Sequence, residues 1–260
     1  MTPQSSLKLE KWYFDVVGPD GDLFVGYHIQ LSPPGLNIAA GLWRLAGRLS
    51  NFMPRITRQN PPIAEAGFMQ ARCRGGSGSW RSITPQVAVT LLDTEQVRVE
   101  WECLACGARA EFSDPDHGQV VGFGYAEKLV ITGKPWLVPI HTLYWGRMVA
   151  EHFSLVWIKW VGPVPIERAW LNGQCCDDVM ISNHQVSTKE GVLRIPDGIP
   201  LRTARLSETL KSLRAPLLRR IAKRLGFIDE RKWLSEATWT GAEGVQVSGW
   251  CIHEIATWQD

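Results

Sequence analysis

Residues 122–162, GFGYAEKLVITGKPWLVPIHTLYWGRMVAEHFSLVWIKWVG, constrain the fold more than any other part of the chain. Alternating apolar runs broken by Gly/Pro turns read as strand, turn, strand, turn, strand. Residues 124–132 place Tyr125, Glu127, Leu129 and Ile131 on one face, with Ala126, Lys128 and Val130 on the other. A carboxylate thus shares a face with apolar neighbours. Desolvation there favours its protonated form, which suits proton chemistry on an apolar substrate. An ion pair between Glu127 and Arg147 or Lys159 is the other reading, and would favour the charged form.

The same pattern recurs along the chain. Residues 11–17 and 22–31 read as a hairpin closed by Pro19-Asp20-Gly21. Val25, Tyr27, Ile29 and Leu31 form its expected core face, and Phe24, Gly26, His28 and Gln30 the opposite one. Residues 65–73, 86–92, 96–103 and 108–113 read as four more strands, with a flexible Gly/Ser insert at 75–79. Residues 141–145 and 152–161 follow, then shorter strands at 166–172, 177–182 and 191–195, and closing strands at 237–240 and 245–258. Residues 36–53 place Leu42, Leu45, Leu49 and Phe52 at helical spacing and predict a short helix or an ordered excursion, followed by a Pro-rich loop at 54–64. Residues 207–225 predict one amphipathic helix, with Leu210, Leu213, Leu217, Ile221 and Leu225 on its apolar stripe and a basic opposite face. The expected fold is all-β, with two barrel or sandwich domains at 1–120 and 121–260 and this helix in the second.

Composition narrows the function. With 45% apolar residues and a net charge of +2, the chain is globular, and neither nucleic acid nor a strongly charged partner is expected. Thirteen tryptophans suit a β-rich core or an aromatic-lined pocket. The first residues, MTPQSSLKLEKW, lack an apolar signal segment, so a cytoplasmic chain with free thiols is expected. Cys103-Leu-Ala-Cys106 has metal-like or redox-like spacing. No second pair completes a tetrahedral set, so these cysteines are expected as small core residues, with no metal bound. The phosphate loop, the dinucleotide fingerprint and the GxSxG elbow are missing from the sequence.

The acids and their neighbours carry the chemistry. Asp15 follows three aromatics in WYFD, on the face of Tyr13 and Val17; it reads as a second acid or as a cap on the following turn. The histidines 28, 141, 152, 184 and 253 show no ligand spacing and leave room for one general base.

KWYFDVVGPDG, GFGYAEKL, LVPIHTLYWGR, HFSLVWIKWVG and GWCIHEIATW, in that order, resemble the calycin-like family that contains carotenoid 1,2-hydratase (hydroxyneurosporene synthase). Tocopherol cyclase and fungal Diels–Alderases are more distant relatives. The resemblance implies two lipocalin-like domains side by side, a hydrophobic ligand site in or between them, and no cofactor. It implies hydration, cyclisation or pericyclic rearrangement of an isoprenoid or polyketide-derived polyene. It singles out Asp15, Tyr125, Glu127, Trp145, Arg147, His253 and Glu254. In the resulting reading, Glu127 or Asp15 donates a proton, and Tyr125 or His253 relays it. Tyr13, Tyr27, Trp145, Trp157 and Arg147 hold the substrate, with Trp145 or Trp157 steadying positive charge. The rival readings are a non-catalytic carrier of a lipid or pigment, and peripheral membrane contact through the 207–225 helix.

Overall fold

The computed structural model of the protein describes residues 7–33, 35–205, 223 and 227–259. The predicted helix at 207–225 falls almost wholly outside them. No helix among the described residues is long and apolar enough to cross a membrane.

The described chain is built from antiparallel strands in two sheets. The first holds β1 (Lys8–Val17), β2 (Leu23–Ser32), β3 (Leu36–Leu45), β4 (Arg48–Thr57), β5 (Ile63–Glu65), β6 (Phe68–Cys73), β7 (Gly76–Ser82), β8 (Val87–Asp93), β9 (Val97–Asp114) and β10 (Gly118–Gly133). The second holds β11 (Thr142–Ala150), β12 (Phe153–Val161), β13 (Ile166–Leu171), β14 (Gln174–Cys175), β15 (Met180–Ile181), β16 (Gln185–Thr188), β17 (Gly191–Arg194), β18 (Ile199–Arg205), β19 (Phe227–Gly241) and β20 (Gln246–Gln259). The first sheet runs β4-β3-β2-β1-β10-β9-β7-β6-β5, with β8 also on β9. The second runs β14-β13-β12-β11-β20-β19-β17-β16-β15, with β18 also on β19. Adding ten to each strand of the first order yields the second. The chain is therefore two copies of one topology, as two β-barrel or sandwich domains require, although their sequences show no repeat.

The sheets divide the chain at residues 134–141 rather than near 120. The loop at 114–118 is the turn of the β9–β10 hairpin, and β10 pairs with both β1 and β9. Residues 36–53 form the β3–β4 hairpin, not a helix. Its two-residue turn sets Ala46 and Gly47 both at positive φ (47° and 76°), which matches the twist of paired strands. An Ala-Gly pair announces that turn far more weakly than Asn-Gly. The 75–79 insert is mostly strand β7. Cβ atoms at Gly76 and Gly78 would lie 2.6 and 2.7 Å from the Phe112 ring, so these glycines make room for an aromatic.

Both faces of the central strands are apolar, because each packs in a different core. Trp12, Phe14 and Val16 point into the first domain with Phe24, Trp43, Trp80 and Phe112. Leu155, Trp157, Trp239 and Cys251 fill the second domain. A third cluster lies between the domains and includes Tyr13, Val25, Trp101, Tyr125, Trp145, Ile158, Trp170, Leu234 and Ile252. The single core face expected for β2 is thus corrected. Phe24 and His28 are buried inside the first domain, while Val25 and Leu31 are buried on the other side.

Close approach to aromatics explains the glycine of the Trp-Gly-Arg segment. A Cβ at Gly146 would lie 2.2 Å from Cζ2 of Trp157. Gly146→Ala is expected to lower the unfolding free energy by about 1–3 kcal/mol, measured by urea titration, because the packed ring has nowhere to move.

Candidate functional site: a charged seam between the domains

β1 and its counterpart β11 meet across the domain boundary. Strand alternation sends Tyr13 and Asp15 from one, and Trp145 and Arg147 from the other, into the shared core. Tyr13 and Trp145 make an edge contact with centroids 4.9 Å apart. Arg147 donates to Asp15 through Nη2 and through Nε at 3.2 Å, and through Nη1 to the carbonyl of Trp250 at 2.9 Å. Both side chains are wholly buried. Burial alone would favour loss of the Arg147 charge; the Asp15 carboxylate outweighs it and raises the pKa above the ordinary guanidinium value. Asp15 therefore bridges the domains instead of capping the Pro19–Gly21 turn.

Glu127 sits one strand away in β10, buried, with three donors converging on Oε2: Trp101 Nε1 at 2.6 Å, Tyr125 Oη at 2.7 Å and Trp145 Nε1 at 3.2 Å. Indole N–H groups only donate, so Oε2 only accepts. Burial first, and Glu127 second, push the Tyr125 phenol well above its usual pKa, so it keeps the proton that it shares with Glu127. Lys11 Nζ lies 3.8 Å from Oε1. The expected ion pair with Arg147 or Lys159 does not form, since Arg147 holds Asp15 and Lys159 holds Glu167 at 2.9 Å. This arrangement locks the carboxyl group in place. Trp101 also packs on Trp170 of the second domain at 4.8 Å, so the Glu127 cluster joins the domains as well. Cys103 pairs with Glu127 in the β9–β10 ladder and, like Cys106, is a buried core residue, as the sequence predicts; Cys73, Cys175, Cys176 and Cys251 are free.

The third cluster contains a residue that sequence reasoning missed. Lys232 of β19 is 1% exposed, and its Nζ lies 2.6 Å from Glu254 Oε2 and 2.7 Å from Tyr27 Oη. The ammonium also lies over the rings of Tyr13, Tyr27 and Trp145 at 4.6, 5.2 and 5.3 Å. Burial opposes its charge, but Glu254, with Tyr27 and Glu230, outweighs burial and raises the pKa above the lysine range. Beside it, Arg202 Nε of β18 lies 3.4 Å from Glu230 Oε2.

A cleft of about 290 Å³ opens next to this cluster, between β2–β4 of the first domain and β18 of the second. Tyr27, Leu42, Leu49, Met53, Leu201 and Arg202 are among its lining residues. Glu127 and Asp15 do not line it. Of the residues predicted from sequence, Tyr13, Asp15, Tyr27, Tyr125, Glu127, Trp145 and Arg147 gather in the seam, and Tyr27 alone reaches the cleft. Trp157 faces the second domain's own core, because odd and even residues of β12 point opposite ways. His253 is turned away for the same reason: it stacks on Trp233 with centroids 5.2 Å apart and shares a 3.1 Å hydrogen bond with Ser235. Its neighbour Glu254 is the member of that motif that joins the seam. Lys232 and Glu230 lie in the charged run Asp229-Glu230-Arg231-Lys232, which reads as a solvated surface; its alternation with Leu234 is the available signal.

No protein-family model matches the chain, and no curated protein matches it by sequence. Solved structures do match it. It is similar to CghA in complex with Sch210972, at 11% identity and a TM-score of 0.63, over 97% of this chain and 89% of that one. CghA alone gives 12% identity and a TM-score of 0.62 over the same shares. Kievitone hydratase from Nectria haematococca matches at 9% identity and 0.57, over 96% of this chain and 88% of that one. The fold is the one these proteins share. At such identities the likeness is one of architecture, and it bears out the expected all-β fold of two barrel or sandwich domains.

Two measurements test the seam. Asp15→Ala leaves the Arg147 guanidinium buried without its partner and is expected to cost about 3–5 kcal/mol in urea unfolding, whereas Asp15→Leu combined with Arg147→Met recovers most of that loss. Burial lowers the His253 pKa to about 4 from 6.5. The unfolded chain takes up a proton at this histidine below pH 6.5, while the folded one resists until about 4. The stability it contributes is full above pH 6.5 and is lost as pH falls towards 4, by roughly 3 kcal/mol. A pH series of unfolding midpoints is expected to show that loss in the wild type and a smaller one in His253→Gln.

Proposed function

We propose that the protein is an enzyme that hydrates, cyclises or rearranges a hydrophobic polyene in the interdomain cleft, with Tyr27 as its acidic group. One observation carries this reading: Tyr27 lines the cleft, and its hydroxyl oxygen accepts a hydrogen bond from the buried Lys232 ammonium. A phenol whose oxygen receives that bond is a stronger donor through its own O–H, and in this reading the O–H is offered to a substrate in the cleft. Burial, only partly opposed by Lys232, raises its pKa to about 12, so the proton stays in place at neutral pH. Glu254 holds Lys232, and the rings of Tyr13 and Trp145 confine it; preorganisation of this kind lets a single hydrogen bond act without solvent rearrangement.

The chemistry uses protein side chains alone. A carbonyl conjugated with the polyene accepts the Tyr27 O–H, which draws electrons from the far alkene carbon. In hydration, water oxygen bonds to that carbon, the carbonyl oxygen takes the tyrosine proton, and water's lost proton restores the phenol. Return of the enol to the ketone moves the proton to the adjacent carbon. In a cyclisation or pericyclic reaction the same hydrogen bond polarises the substrate and the cleft sets its shape. That one structural neighbour is a hydratase supports this reading. The roles first given to Glu127 and Asp15 pass to Tyr27, because those carboxylates hold the seam away from the cleft.

A panel of conjugated polyenyl ketones, followed by loss of ultraviolet absorbance, tests the proposal. Tyr27→Phe is expected to cut kcat by about 10²-fold or more and to leave substrate binding near the wild-type level. The wild-type rate is expected to stay level from about pH 6 to 10 and to fall as pH approaches the Tyr27 value of about 12. Full turnover by Tyr27→Phe, with loss in Glu127→Gln, would return the chemistry to the buried acid. Binding without turnover in the wild type would make the protein a carrier.

A further inference from the structure

We infer that the cleft accepts substrates whose polar end is an uncharged carbonyl and rejects carboxylates, and that Glu230 and Glu254 set this preference. The inference rests on the reading of Tyr27 as the donor to the substrate. One cation, Arg202, lines the cleft and a second, Lys232, stands behind Tyr27, and two cations at a pocket ordinarily favour an anion. Here both are already matched. Lys232 has three N–H donors. One is within reach of Glu254 and one is directed at Tyr27, and the remaining charge faces the rings of Tyr13 and Trp145. Arg202, which lines the cleft itself, is held at 3.4 Å by Glu230.

An entering carboxylate would bring a further negative charge close to Glu230 and Glu254, and among the described lining residues the one cation, Arg202, already has a carboxylate beside it. Its desolvation would go uncompensated. A ketone or enone carbonyl needs one donor, which the Tyr27 O–H provides. The rest of the lining is mainly apolar, with Leu42, Leu49, Met53 and Leu201 among it and Asn51 and Thr203 as its other polar side chains, and suits an apolar chain. Burial, helped by Glu254, raises the Glu230 pKa, and Arg202 and Lys232 oppose that rise, so the comparison is best made at a mildly alkaline pH.

The test compares two probes of equal chain length, trans-3-dodecen-2-one and trans-2-dodecenoate, by calorimetric titration at about pH 8. The enone is expected to bind the wild type at least about tenfold more tightly. Glu230→Gln removes the carboxylate that lies 3.4 Å from Arg202 and is expected to shift the ratio about tenfold towards dodecenoate. Adding Arg202→Met should abolish that shift. Equal or tighter binding of dodecenoate by the wild type would overturn the inference, as would an unchanged ratio in Glu230→Gln with a wild-type circular dichroism spectrum. The wild-type comparison decides the matter even where that variant fails to fold. If neither probe binds, the cleft is not the substrate site, and the functional reading falls too. If turnover depends on Tyr27 but both probes bind alike, only the selectivity falls.

Discussion

The buried ion pair between Asp15 and Arg147 is the contact on which the arrangement of the two domains depends. It joins residues 132 positions apart, one from each domain, with no water contact at either side chain. Placing two charges in such a core costs several kcal/mol per ion, and their attraction repays it only when the geometry is good and the remaining donors are satisfied. The guanidinium meets both conditions, with a two-point contact to Asp15 and a third bond to the Trp250 carbonyl. Apolar packing around the pair, Tyr13 on Trp145 and Trp101 on Trp170, supplies the net attraction. The pair contributes register: a slip of either strand by one residue would turn a charge into a domain's private core.

The same logic extends along the seam. Polar contacts cross between the domains at Glu127 and Trp145, Tyr27 and Lys232, and Asp15 and Arg147. The cleft opens where this matching reaches the surface, at Tyr27 and Arg202. Formation of the candidate site and docking of the domains are therefore one event, and neither domain alone carries the Tyr27–Lys232 contact.

Much of this was legible in the sequence, element by element. Alternation in residues 11–31 and 122–162 located the central strands, and the WYFD, GYAE and WGR segments marked most of the seam. The errors share a physical origin. Where both faces of a strand are apolar, alternation cannot tell which face looks into its own domain, so the sequence does not show that Trp157 and His253 turn away from the seam. Glycines at 76 and 78 read as flexibility because a sequence does not display the Phe112 ring that they accommodate. The Ala46–Gly47 turn left leucines at a helical spacing that strand pairing overrode.

The sequence by itself determined the all-β class, the strand-rich halves and the presence of carboxylates on apolar faces, because these follow from side-chain order along a pleated strand. Only the tertiary structure decided which polar side chains line the cleft and which are held in the seam. That choice depends on partners far apart in the chain, Lys232 with Tyr27 and Arg147 with Asp15, and on a desolvation that exists only once two domains close around them.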